Sequence, residues 1–253
     1  MKIKLNSDLP GHRDTRNAGG RTAAQVREMF GRVAPRYDLL NHALSLGLDW
    51  TWRRRAARVA LGLGAGDIVL DVCAGTGDLA FALSRVAPAA RVVGLDFSAR
   101  MLALAVQKAA GAKGRVSFAE ADAQHLPLRE NTVALASVAF GVRNVPDPAA
   151  AVRELIRVTR PGGKIVILEF TTPRGALFGR LYLFYLRHVL PRIASLAARG
   201  AADAYHYLNR SVRAFAGPEE MRALLRSAGL TEVQALPLSW GVAYLYLGVK
   251  RQT

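Results

Sequence analysis

An open, mostly parallel α/β sheet with helices on both faces is the fold this chain of 253 residues predicts. Three observations predict it. From Asp67 onward, apolar runs of strand length alternate with stretches of helical periodicity. The first run, Ile68-Val69-Leu70-Asp71-Val72, leads into the glycine turn Cys73-Ala74-Gly75-Thr76-Gly77-Asp78, and the second, Val92-Val93-Gly94-Leu95-Asp96, ends on a carboxylate. Two last runs, about 231–238 and 243–250, have little more than Ser239-Trp240-Gly241 between them, which favours an antiparallel hairpin.

Taken in order, residues 1–21 carry few apolar groups and read as a flexible N-terminal arm ahead of a single domain, 22–253. Residues 22–66 form a helical cap: Val26, Met29, Phe30 and Val33 recur at helical spacing up to Pro35, and a second helix runs from His42 to Leu61, interrupted or bent near Gly47. Arg53-Arg54-Arg55 and Arg58 on it make a basic patch, read as a solvated or phosphate-facing surface. Strands follow at 68–72, 91–96, 116–120, 133–139 and 164–170, with helices near 78–87, 99–110 and 149–159. Arg160-Pro161-Gly162-Gly163 is a sharp turn feeding the fifth strand. An insertion at 175–215 is rich in Leu, Tyr, Phe and Arg, and Pro218 to Gly229 makes a short helix before the hairpin. The two hairpin strands bring the total to seven.

The glycine turn and Asp96 suit a nucleoside-containing cofactor, because glycines admit close backbone approach and a carboxylate accepts from ribose hydroxyls. Gly75-Thr76-Gly77-Asp78-Leu79-Ala80 fits the dinucleotide fingerprint, with Asp96 at about the expected ~20-residue distance. The charges speak against a dinucleotide. Asp71 and Asp78 flank the turn, where a pyrophosphate needs bare N–H groups. S-adenosylmethionine (SAM), with a positive sulfur and a positive amino group and no phosphate, turns those carboxylates into assets. The terminal hairpin points the same way, since a class I SAM-dependent methyltransferase sheet (Rossmann-like) ends with an antiparallel strand beside the fifth. Asp122, in Ala121-Asp122-Ala123 after the third strand, is placed to reach an adenine amino group.

Composition narrows the rest. A hydrophobic content of 51% excludes general disorder, and the single cysteine, Cys73, excludes a disulfide framework or cysteine-rich metal site. Cys73 reads as a small buried residue of the turn, and no metal-ligand cluster is visible. No apolar run matches a signal peptide or a spanning helix, so the expected compartment is the cytoplasm. The net charge of +16 suits nucleic acid or an anionic membrane surface and does not choose between them.

Three blocks resemble the ubiquinone/menaquinone C-methyltransferase family: Tyr37-Asp38-Leu39-Leu40-Asn41-His42-Ala43-Leu44-Ser45 with Trp52, then Phe140-Gly141-Val142-Arg143-Asn144-Val145, then residues 157–171 through Arg160-Pro161-Gly162-Gly163 to Glu169-Phe170-Thr171. Leu190-Pro191 and 205–211 extend the likeness, which spans roughly Val26 to Lys250. The chain departs from the family pattern at Leu40, Asp49, Ala139, Arg160, Thr171, Ala216 and Tyr246. Because Ala139 replaces a Ser that contacts cofactor in some members, that contact is not carried over.

The resemblance implies C-methylation of a demethylated prenyl quinol ring, with SAM as methyl donor. Demethylmenaquinol is the favoured acceptor, and a ubiquinone-pathway benzoquinol, or both, stays open. It implies cofactor contacts at Thr76, Asp96, Asp122 and Ala123, with Asp71, Gly75 and Gly77 shaping the turn. It places Arg143 and Asn144 at the methyl group, Arg143 stabilising a phenolate or positioning a water that acts as base or, equally, serving as a structural ion pair. Asp38, Asn41 and His42 are candidates to orient the quinol oxygens, and Tyr205 and Tyr207 either reach the ring or pack. The greasy, arginine-studded insertion then reads as a lid or interfacial helix on an anionic membrane surface, making the enzyme peripheral at the inner face of the membrane. No nucleic-acid partner is expected, because a base-flipping motif is missing after the fourth strand; an RNA methyltransferase is the rival from another class. Oligomeric state stays open.

Overall fold

The computed structural model describes residues 16–45, 47–110, 116–173, 184 and 201–252. Its strands are β1 (Ile68–Val72), β2 (Arg91–Asp96), β3 (Val116–Glu120), β4 (Val133–Ala139), β5 (Thr159–Phe170), β6 (Leu230–Leu238) and β7 (Ala243–Lys250). Its helices are α1 (Ala23–Val33), α2 (Tyr37–Ser45), α3 (Asp49–Ala57), α4 (Asp78–Val86), α5 (Ala99–Ala110), α6 (Pro148–Val158), α7 (Ala201–Ala214) and α8 (Pro218–Ser227).

These strands form one sheet of order β3-β2-β1-β4-β5-β7-β6. β1 to β5 run parallel, and β7 lies antiparallel between β5 and β6. The apolar runs become strands because helices bury both faces, which is why β1 and β4 show no polar alternation. Val69, Leu135, Val166 and Leu168 face the side of α3 and α4; Leu70, Ala136, Ile165 and Ile167 face that of α6 and α8. Thr22 and Gln25 cap α1 reciprocally, Asp147 caps α6, and Pro218 opens α8.

The sequence reading needs correcting in four places. The helical stretch read over His42–Leu61 starts earlier, at Tyr37, and of the two readings at Gly47 it takes the interruption and not the bend: α2 ends before this glycine, which has a left-handed φ of 76°, and α3 follows it. Arg53 is not on the basic surface: it is 6% exposed, and only Arg54, Arg55 and Arg58 face water. The Arg160–Gly163 turn sits inside β5, bulging between the Val133–Thr159 and Leu135–Lys164 pairings. The end of the N-terminal arm, from Asn17, is hydrogen-bonded into the fold. Residues 1–15 of the arm and 174–183 and 185–200 of the insertion lie outside the described residues, as does the side chain of Tyr205.

Candidate active site

Strand order reverses between β1 and β4, and crevices at such switch points take ligands at the carboxyl ends of the strands. The glycine turn leaves β1 here and Gly141–Asn144 leaves β4. The two segments press together: a Cβ at Gly141 would stand 2.4 Å from the Cβ of Cys73. Cys73 itself has φ 56°, and burial pushes its thiol far up, so it packs as an inert small residue. Gly75 and Gly77 are left-handed, at φ 56° and 87°, and Gly77 also leaves room for the edges of Phe81 and Phe118.

Four predicted cofactor residues line this edge with the glycines. Asp71 ends β1 almost fully buried; the Ser137 hydroxyl donates to its Oδ1 at 3.1 Å, and its Oδ2 has no hydrogen-bond partner among the described residues. Burial pushes its pKa up to about 7, against the pull of Ser137 and the Arg53 charge. Asp96 ends β2, accepting from the Gly75 N–H at 2.8 Å and the Ser98 N–H at 2.9 Å; burial lifts it to about 6, against those N–H groups. Each of its oxygens keeps a lone pair for a further donor. After β3, Asp122 accepts from the Gln124 N–H at 2.9 Å beside the buried Ala123.

The fifth, Thr76, donates its hydroxyl to Asp38 Oδ1 at 2.5 Å. Lys108 of α5 closes on the other Asp38 oxygen at 2.5 Å and on Asp78 at 3.0 Å, so α2 is fastened over the glycine turn. Asp38, a candidate to orient the acceptor ring, is thus brought against the glycine turn. His42, one helical turn on, contacts Asp49 Oδ1 at 2.9 Å. Asp49 also accepts from Ser45 at 2.7 Å and pairs with Arg53, whose guanidinium lies 5.2 Å from the centroid of the Phe140 ring. Burial works against the Asp49 charge, but these partners hold its pKa below the usual value.

Arg143 is buried at 4% exposure against the fully buried Glu169, with 2.5 Å between Nη1 and Oε1. Nη1 also donates to the Phe140 carbonyl at 2.7 Å, and Nε has no partner among the described residues. Phe140 and Phe170 stack at 4.3 Å beside it. Asn144 accepts from the Tyr207 hydroxyl at 2.9 Å, so Tyr207 packs here and is tied to the site. Tyr37, whose ring edge would stand 3.8 Å from a Cβ at Gly75, is half-buried; desolvation raises its pKa, the Asn41 amide opposing the rise. Sequence reasoning assigned no role to Lys108, Glu169, Tyr37 or Asn17. Glu169 and Tyr37 lie within the quoted blocks; no local signal marks the other two.

The sequence pattern of the ubiE/COQ5 methyltransferase family matches residues 19–250. A demethylmenaquinone methyltransferase of Thermus thermophilus is 46% identical over 220 residues, 87% of this chain and 99% of the relative. A ubiquinone/menaquinone biosynthesis C-methyltransferase of Syntrophotalea carbinolica is 43% identical over 234 residues, 92% of this chain and 98% of the relative. Among solved structures, a SAM-dependent methyltransferase from Thermotoga maritima matches at a TM-score of 0.62, with 21% identity, over 89% of this chain and 100% of that one. This last likeness is one of fold, the class I, Rossmann-like sheet the sequence predicts.

Proposed function

The chain belongs to the ubiE/COQ5 methyltransferase family and is on that ground a SAM-dependent methyltransferase; we propose that it methylates a ring carbon of a demethylated prenyl quinol, demethylmenaquinol first. One observation carries the reading. Buried carboxylates, Asp71 and Asp96, flank a left-handed glycine turn at the switch point, with Arg143 and Asn144 on the neighbouring strand end.

The residues fit SAM. Among the described residues the buried Asp71 Oδ2 has no hydrogen-bond partner, and a cationic ligand supplies one. Thr76, Asp96, Asp122 and Ala123 would hold the cofactor, Asp71, Gly75 and Gly77 would shape its turn, and Asp38 belongs with this set through Thr76. When bound, SAM supplies a methyl group on a positively charged sulfur.

On the acceptor side, the ring carbon becomes nucleophilic as its neighbouring hydroxyl loses a proton, so the chain has to take that proton and steady the oxygen. The Arg143 Nε–H is a buried donor with no partner among the described residues and is offered to that oxygen, Nη1 being committed to Glu169 and Phe140. Asn144 stands beside it. His42 is the candidate proton acceptor: with Nδ1–H donated to Asp49, its Nε2 is the basic nitrogen. After transfer the methylated ring carbon gives up its proton to water, the proton held by His42 returns to the oxygen, and aromaticity is restored with a net loss of one proton.

Association with an anionic membrane surface belongs to the same proposal. Trp50 and Trp240 are 56% and 80% exposed, and Arg54, Arg55 and Arg58 are exposed near the first of them. No helix among the described residues is long and apolar enough to cross a membrane.

The test is transfer of labelled methyl from SAM to demethylmenaquinol and to a demethylated benzoquinol, each chemically reduced in detergent micelles, with oxidised controls. Label in reduced demethylmenaquinol alone is expected. Label in the benzoquinol alone changes the acceptor, and label in neither, with SAM bound, removes the quinol reading.

A further inference from the structure

Asn17 precedes the residues that match the family pattern, yet its side chain is 6% exposed and makes all four hydrogen bonds an amide can make. Oδ1 accepts from the Gly19 N–H at 3.0 Å and the Arg21 N–H at 3.2 Å. Nδ2 donates to the Asn144 carbonyl at 2.9 Å and to the Tyr207 hydroxyl oxygen at 2.7 Å. The Tyr207 hydroxyl donates in turn to Asn144 Oδ1, and the Asn144 amide donates to the Phe140 carbonyl at 3.1 Å. Asn144 is therefore gripped by main chain and side chain at once, and both grips start at Asn17.

The two halves of the Asn17 amide serve different ends. Oδ1 caps the local turn, a task an Asp carboxylate performs as well. Nδ2 does nothing for that turn and reaches across to the single 3-10 turn, Val142–Asn144, that carries Arg143 and Asn144. The segment lies flat on its support: a Cβ at Gly19 would stand 2.2 Å from the Tyr207 ring. Arg21 covers the same ring, 5.0 Å from its centroid, and pairs with Asp203 of α7.

We propose that Asn17 is a positioning residue for methyl transfer, residues 17–21 forming a strap that holds Asn144, and Arg143 beside it, in place at the acceptor ring. The inference rests on the proposed acceptor site at Arg143 and Asn144. It assigns the donor half of one amide to turnover and leaves SAM binding, at Asp71 and Asp96, untouched.

Asn17→Asp keeps the turn cap and removes both donors; Tyr207→Phe removes only the hydroxyl link. In the full chain, kcat and KM for the reduced quinol would be measured with the SAM dissociation constant and the thermal midpoint. Loss of orientation on the order of 1 Å costs roughly 100-fold in rate, the fall in kcat expected for Asn17→Asp, with SAM affinity held within about twofold. Tyr207→Phe should lose about tenfold, and the double variant no more than Asn17→Asp alone, because both act through Asn144. A thermal midpoint that drops while kcat per folded enzyme stays within about threefold overturns the proposal, as does SAM affinity falling in step with kcat. Should Asn17→Asp fail to fold, an unchanged kcat in Tyr207→Phe overturns it by itself. Failure of the acceptor reading shows differently, as a wild-type chain that binds SAM and labels no quinol, and it removes this inference too.

Discussion

On the proposed cofactor reading, Asp71 meets opposite demands in the free and the ligand-bound chain. Burial lifts it from 3.8 to about 7, and Asp96 to about 6, so in the free protein each binds its proton more tightly folded than unfolded. Stability contributed this way is full below about pH 4 and is lost as pH rises toward about 7, by at most about 1.4 kcal/mol per unit and group. Asp71→Asn, which imitates the neutral carboxyl, should flatten that slope; denaturant unfolding at about pH 5 and about pH 8 measures it, and equal losses in both proteins would assign the slope elsewhere. SAM affinity should move the other way, weakening up to about tenfold per unit as pH falls through about 7, because a cation needs the ionised carboxylate. Asp96→Ala should abolish SAM binding in a calorimetric titration. At the back of the turn, Gly141→Ala should cost about 1–3 kcal/mol through its clash with Cys73. Adding Cys73→Gly should recover part of it, since that change removes the opposing Cβ and suits φ 56°.

Among the elements, α2 and α3 owe their arrangement to charges inside the cap. Asp49 is 0% exposed and Arg53 6%, so Asp49→Ala leaves a buried guanidinium unpaired. A loss of about 3–5 kcal/mol is expected by chemical denaturation, and a loss below about 1 kcal/mol would mean that Arg53 swings out to water. This is also where sequence reading of the elements was weakest. The strands at 68–72, 91–96 and 133–139 are legible because each is a short, mainly apolar run between turn residues, and the one at 116–120 because Val116 and Phe118 alternate with Ser117. The α2–α3 region shows no such contrast, its Trp and Arg residues being split between core and surface. Arg53 and Arg54 are neighbours in sequence and opposites in burial, which no charge count reveals.

For the molecule as a whole, the charge of +16 and the exposed Trp50 and Trp240 lead to one expectation: the chain should sediment with anionic vesicles, release them as salt is raised, and ignore zwitterionic ones. Binding to both kinds alike would remove the electrostatic part of that reading. By itself, the sequence determined the sheet, the glycine turn and the carboxylates at the strand ends, because local periodicity and turn chemistry encode them within a few residues. It also carried the family likeness. Which polar groups meet was decided only by the tertiary structure: Asn17 with Tyr207 across 190 positions, Arg143 with Glu169 across 26, Thr76 with Asp38 across 38. Such pairs leave no local trace, since the partners are brought together by burial of the apolar faces around them and nothing beside either residue in sequence marks it for the other.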